Sequence, residues 1–153
     1  MKTILLAILL ALPALAQTIT GLVVDAHDGD TVRLATGQRV RLWGIDCPEL
    51  KQAYGRQARD HLRGLVLRRT VTLPTHGTDR YGRVLAVVVL DGRDVNADLL
   101  RAGLAWWYRK YSPEAKDYAA IEKAARNSRV GLWAQAIPLA PWDFRHPENR
   151  ASK

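Results

Sequence analysis

The run Val84-Leu85-Ala86-Val87-Val88-Val89-Leu90 is apolar at every position, so as a strand it would be buried on both faces. Such a strand belongs inside a closed or doubly covered sheet, and it constrains the fold more than any other segment. The other β-type runs are shorter. Residues 19–24 and 31–45 read as strands, with a Thr36-Gly37 hairpin turn between Val32-Arg33-Leu34 and Val40-Arg41-Leu42. A further strand is expected over 70–73, and Asp91-Gly92 marks a tight turn. Alternation along residues 39–44 puts Arg41 on the face opposite Val40 and Leu42, where it can point into a cleft while they pack.

Tyr54, Ala58, Leu62 and Leu65/Val66 recur at three- and four-residue spacing, which predicts a helix over 54–67. A short helix over 95–102 would turn Leu99 and Leu100 inward and stop at Gly103. Ser112-Pro113-Glu114 has the form of a helix start, with a serine cap, a proline in the first turn and an acid near the positive end of the dipole. That helix would carry Ala115, Tyr118, Ile121 and Ala125 on one face and end within 127–131. Beyond Trp133, Pro138, Pro141 and Pro147 speak against a regular helix, so an irregular strap over the domain is expected. Five short strands with one helix after the third and two after the fifth match an α+β fold with a mainly β core: a five-stranded OB-type Greek-key barrel with three α-helices.

Lys2, the apolar run 4–12 and Pro13-Ala14-Leu15-Ala16 have the form of a secretory leader cleaved after Ala16. The apolar run is shorter than the roughly 20 residues of a bilayer span, so no stable membrane association is expected once the leader is gone, and the mature protein is expected to be periplasmic or secreted. The expected organisation is a leader at 1–16, one barrel domain at 17–134 and a Pro/Trp-containing extension at 135–153, the mature chain acting as a monomer. The single cysteine, Cys47, excludes an internal disulfide and a Cys/His zinc site.

A net charge of +8 and a pI near 10.1 favour a polyanionic partner, with nucleic acid the natural candidate. Of the 23 basic residues 17 are arginine, whose planar fork suits phosphate oxygens. A base composition that replaces lysine by arginine everywhere accounts for that ratio equally well.

Three polar stretches carry the chemistry: Asp28-Gly29-Asp30-Thr31, Arg41 through Asp46-Cys47-Pro48-Glu49, and Asp79-Arg80-Tyr81-Gly82-Arg83. Taken singly, each has a bland reading as a solvated turn, a helix start or a charged turn. Taken together, Asp30, Asp46 and Glu49 offer a hard divalent cation several oxygen ligands, and Arg41 and Arg83 offer two forks for a phosphate. That is the equipment of a phosphodiesterase.

On these motifs the chain resembles the staphylococcal nuclease (thermonuclease) family. The resemblance covers residues 19–133 and rests on DGDT at 28–31, RLWGIDCPE at 41–49, DRYGR at 79–83, VNADLLRAGLA at 95–105 and GLW at 131–133. It implies that Asp30, Asp46 and the backbone carbonyl of Cys47 ligate calcium, with manganese or magnesium as lesser candidates, and that Asp28 stands beside the metal. It also implies that Glu49 is the general base on the attacking water and that Arg41 and Arg83 stabilise the phosphate. Tyr81 and Tyr111 would contact substrate. The implied reaction is cleavage of the 5′ P–O bond in DNA and RNA, leaving 3′-phosphate ends. Cys47 departs from the archetype, which has threonine there. Trp106 and Trp107 read equally well as stackers of bases or as packing of a helix against the barrel.

Two other readings remain open at this point. A nucleic-acid-binding module that keeps the barrel without catalysis would need the arginines but not the carboxylates. A cationic membrane-active protein would need an amphipathic basic helix, and the apolar face of the helix at 54–67 is required for the core.

Overall fold

The computed structural model describes residues 17–150; the expected leader at 1–16 lies outside the described residues. Strand β1 (Thr18–Ala26) serves two neighbours, pairing over its first half with β5 (Thr70–Thr78) and over its second with β2 (Thr31–Leu34). A register shift between Val23 and Asp25 bends it where it passes from one partner to the other. β2 turns through Gly37, at φ 86°, into β3 (Arg39–Leu42). β3 lies parallel to β6 (Val84–Ala86), and β6 runs antiparallel to β5, which returns to β1. The circuit β1-β2-β3-β6-β5 therefore closes into the five-stranded OB-type barrel expected from the sequence.

Val23, Leu34, Val40, Leu42, Val71 and Leu73 are each at most 1% exposed and form one core with Ala58, Leu62 and Val66 of helix α1 (Gly55–Val66). Full burial of each such aliphatic side chain contributes about 1.5–3 kcal/mol. A separate two-stranded ribbon, β4 (Ile45–Asp46) with β9 (Trp106–Trp107), packs Ile45 into the same core. Among the described residues no helix is long and apolar enough to cross a membrane.

The apolar run at 84–90 is two strands rather than one: β6 ends at Ala86 and β7 (Val89–Leu90) begins after a break. The run turns a corner along β5, which pairs with β6 near its end and with β7 at Thr72. At the corner the Val87 N–H donates to the Pro74 carbonyl (3.1 Å), and that of Val88 to Asn96 Oδ1 (3.1 Å). β5 itself extends well past the expected Leu73. β7 pairs with β8 (Arg93–Asp94) through Asp91 and Gly92, both at positive φ, as a tight hairpin turn requires.

Helix α2 (Val95–Arg101) is capped by Asp94, whose carboxylate accepts from the Ala97 N–H (2.9 Å) and the Tyr118 hydroxyl (2.8 Å). Helix α3 (Lys116–Asn127) starts four residues later than Ser112. Ser112 is fully buried, and its one hydroxyl proton is offered to the Tyr108 carbonyl (3.1 Å), with the Gly44 carbonyl next nearest (3.4 Å), instead of the hydroxyl capping a helix. The competition between local caps and tertiary partners is won here by the loop that joins β9 to α3.

The C-terminal segment also differs from expectation, because it contains a one-turn helix, α4 (Pro141–Arg145). Pro141 is its first residue, where the missing N–H costs nothing. Trp106, Trp133 and Ala140 form a second small core with Trp142 against it, and the Trp106 ring meets those of Trp133 and Trp142 edge-on at 4.5 and 5.4 Å. Trp106 is thus a packing residue, and Trp107 donates its ring N–H to the Ser112 carbonyl (3.1 Å).

Asn96 joins α2 to the barrel corner. Its amide donates to the carbonyls of Trp43 (2.9 Å) and Ala86 (3.4 Å) and accepts from Val88, all with the side chain fully buried. Leaving such buried groups without partners costs about 1–3 kcal/mol. Asn96→Ala is therefore expected to lower unfolding free energy by that amount in urea titrations; an unchanged midpoint would show that water replaces the amide.

Candidate active site

Three loops meet at one end of the barrel, beside strand β3. The β1–β2 turn carries Asp28 and Asp30, and the Asp30 N–H donates to Asp28 Oδ1 (3.1 Å). Gly29 between them packs so closely that a Cβ there would lie 2.7 Å from both Cys47 Cβ and Ala58 Cβ. Only glycine lets this acidic turn lie against the next loop and α1.

Asp46 ends β4 and is 1% exposed. Between Asp30 and Asp46 stands Arg41 of β3, with Nη1 3.0 Å from Asp30 Oδ2 and Nη2 2.9 Å from Asp46 Oδ1. The neighbouring Cys47 N–H donates to Asp30 Oδ2 (2.6 Å), and its thiol to the Gly29 carbonyl (3.2 Å). The expected strand alternation thus does aim Arg41 at the acidic loops.

Glu49 follows Pro48 in a loop that folds back on the start of α1. The Glu49 N–H donates to Gln52 Oε1 (3.1 Å), and the Gln52 N–H returns to the Glu49 carbonyl (2.8 Å). A Cβ on Gly55 would fall 1.8 Å from that carbonyl, so the first residue of the helix must be glycine for Glu49 to take its place. The Glu49 side chain is 36% exposed.

Arg83 comes from the β5–β6 turn. Its Nε donates to Asp79 Oδ2 (2.7 Å), and its Nη1 reaches Thr31 Oγ1 at 3.5 Å. The Thr31 hydroxyl in turn contacts Asp30 Oδ1 at 3.4 Å, so the third motif joins the first. Tyr81, 58% exposed, presents its ring to Arg80 and Arg83 at 4.9 and 5.5 Å.

The structure thus gathers Asp28, Asp30, Arg41, Asp46, Cys47, Glu49 and Arg83 at one end of the barrel and sets Tyr81 beside Arg83. Tyr111 leans on Tyr108 (ring centroids 4.8 Å apart) and is 63% exposed. Two participants carry no signal in the sequence. Arg145 of α4 donates through Nη2 to Asp46 Oδ2 (2.8 Å) and through Nη1 to Asp46 Oδ1 (3.2 Å) and Glu49 Oε1 (2.7 Å). Tyr108 stacks on Trp142 (5.5 Å, 3°); burial, and then the nearby charge of Asp46, raise its hydroxyl pKa.

Burial pushes the Asp30 carboxyl up to about 8, with Asp28 and Asp46 adding to the effect and Arg41 opposing it. Burial works against the charge on Arg41, but Asp30 and Asp46 outweigh it and hold the guanidinium protonated more firmly than usual. Burial, followed by the charge of Asp30, pushes the Cys47 thiol well up, which leaves it protonated and unreactive. For Asp79, burial is outweighed by the hydrogen bonds from Arg83 and Tyr81, and its carboxyl is held below the usual range.

Among the described residues no three His, Cys, Asp or Glu side chains converge as a ready-made cation cage. Asp30 and Asp46 nevertheless come from separate loops to meet one positive group, the Arg41 guanidinium. Two hard carboxylates aimed at one positive charge fit a divalent cation that completes its shell with carbonyl and water oxygens.

Residues 39–135 match the family described as staphylococcal nuclease homologue. The chain belongs to this family. An uncharacterized endonuclease of Escherichia coli is 41% identical over 138 residues, covering 88% of this chain and 90% of that protein. Protein ParB of Escherichia coli is 39% identical over 158, covering 95% and 89%. A micrococcal nuclease of Shigella flexneri is 35% identical over 158, covering 95% and 90%. The span matched to the family contains Arg41, Asp46, Glu49 and Arg83; Asp28 and Asp30 precede it, and Arg145 follows it.

The burial of Cys47, 3% exposed, has a direct consequence. A thiol reagent such as a dithiobisbenzoate is expected to label Cys47 only after unfolding by guanidinium; prompt labelling of the native protein would contradict the packing of Gly29 against it.

Proposed function

We propose that this protein is an exported, calcium-dependent nuclease that hydrolyses phosphodiester bonds in DNA and RNA and leaves 3′-phosphate ends. The observation that carries the reading is the convergence of Asp30 and Asp46 on Arg41, with Glu49 at the same group of carboxylates and Arg83 joined to it through Thr31. Family membership and relatives named as nucleases support it. The leader-like residues 1–16 support export.

Asp30, Asp46 and the Cys47 carbonyl would hold the cation. When bound, calcium supplies positive charge that polarises a phosphoryl oxygen. Glu49, partly open to solvent, takes a proton from a water as that water's oxygen bonds to phosphorus. The P–O5′ bond breaks, its electron pair leaves with O5′, and a proton from solvent completes the 5′-hydroxyl, leaving phosphate on the 3′ side. Arg41 and Arg83 meet the charge that grows on the phosphoryl oxygens, and both forks are already held by carboxylates, Asp30 and Asp46 for one and Asp79 for the other. Tyr81 offers an exposed ring for a base or sugar.

The two arginines differ as targets for mutation. Arg83 pairs with a partly solvated carboxylate, so Arg83→Ala should leave the fold intact and lose about 2.7–4 kcal/mol of transition-state stabilisation, roughly a hundred- to a thousandfold in rate. Arg41 compensates two buried carboxylates, and its removal also costs about 3–5 kcal/mol of stability; Arg41→Lys is the better probe there. The test is cleavage of single-stranded DNA by protein starting at Gln17, with calcium or chelator, beside Arg83→Ala, Arg41→Lys and Glu49→Gln. Calcium-dependent cutting to 3′-phosphate ends, reduced to that degree in Arg83→Ala and lost in Glu49→Gln, is expected. Salt-sensitive binding without cleavage under any divalent ion would make the protein a nucleic-acid binder instead.

A further inference from the structure

Arg145 enters the site from outside the family span, on a one-turn helix near the end of the described chain. Its guanidinium touches both oxygens of Asp46 and one of Glu49. With Arg41 on Asp46 Oδ1 as well, both oxygens of that carboxylate are engaged by guanidinium groups. Asp46 therefore has guanidinium partners without any cation, and one of the two is delivered by the C-terminal segment.

That segment is held at several points around the site. Trp142 stacks on Tyr108 and meets Trp106 edge-on. Gln52 Nε2 donates to the Leu139 carbonyl (2.5 Å) while Gln52 Oε1 accepts from the Glu49 N–H. The strap is thereby tied to the loop that carries the candidate base. Helix α4 is a single turn, entered where the N–H groups of Asp143 and Phe144 both donate to the Ala140 carbonyl, and a helix this short is easily opened.

A divalent cation on Asp46 would face a fixed guanidinium on the same carboxylate, and two like charges on one buried anion repel strongly. Arg41 is rooted in a barrel strand, whereas Arg145 rides on one turn of helix, so Arg145 is the group that can leave. Glu49 is caught in the same grip, since its Oε1 accepts from Arg145 (2.7 Å).

We propose that Arg145 is a latch: in the cation-free protein its guanidinium occupies Asp46 and Glu49, and cation binding releases it, freeing a ligand and the base together. This rests on the cation reading above. It makes the C-terminal segment a device that keeps the nuclease closed wherever calcium is scarce.

The test is calorimetric titration of the full mature chain with calcium, beside Arg145→Gln and Arg145→Lys, together with hydrogen exchange of residues 140–146. Arg145→Gln is expected to bind calcium about tenfold or more tightly than the wild type. Arg145→Lys should also bind more tightly, because an ammonium keeps the charge but cannot bridge Asp46 and Glu49 as a fork does. Calcium should speed exchange at Asp143 and Phe144 in the wild type. Equal affinities in all three proteins, tightening in Arg145→Gln alone as a mere field effect would give, or exchange indifferent to calcium would each overturn the latch and leave the cation reading standing. Absence of calcium binding in all three would overturn both.

Discussion

The site depends on one buried ionic arrangement, Arg41 held between Asp30 and Asp46. Its members come from the β1–β2 turn, from β3 and from β4, so the triad fastens two loops to the barrel wall. Buried charges of this kind are costly to desolvate and gain little net stability over apolar residues of the same size. Their presence at the mouth of a barrel that otherwise packs on aliphatic side chains is therefore better understood through chemistry than through stability. Burial raises the pKa of the Asp30 carboxyl, Asp28 and Asp46 add to that, and Arg41 opposes it.

Small residues let these charges come together. Gly29 brings the acidic turn against Cys47 and Ala58, and Gly55 lets the Glu49 loop lie on the start of α1. Neither glycine touches a reacting group, yet a side chain at either would displace a carboxylate. The barrel acts as a frame with a fixed rim, and the chemistry sits on loops that the rim positions.

Much of this could be read from the sequence, for reasons that differ by element. The hairpin at Thr36-Gly37, α1 and α2 follow from local periodicity and turn chemistry, and these agree with the tertiary structure. The apolar run at 84–90 misled because periodicity cannot show a strand turning a corner, where Asn96 rather than a neighbouring strand satisfies Val88. Ser112 misled because its hydroxyl finds carbonyls from Gly44 and Tyr108 instead of a helix end. The carboxylates and arginines of the three motifs stood out by their order along the chain. Arg145 did not, because its place in the site depends on how Trp142 and Leu139 dock, and no spacing rule encodes that contact.

The central claim is that Asp30 and Asp46 hold a cation on which cleavage depends. Asp30→Asn tests it most directly, since the amide keeps the shape of the carboxylate and removes the charge that a cation would meet. Calcium titration of wild type and Asp30→Asn by calorimetry, with cleavage assayed on the same samples, is the measurement. One calcium site in the wild type, lost together with cleavage in the variant, is the predicted result; undiminished calcium binding or undiminished cleavage in Asp30→Asn would contradict it.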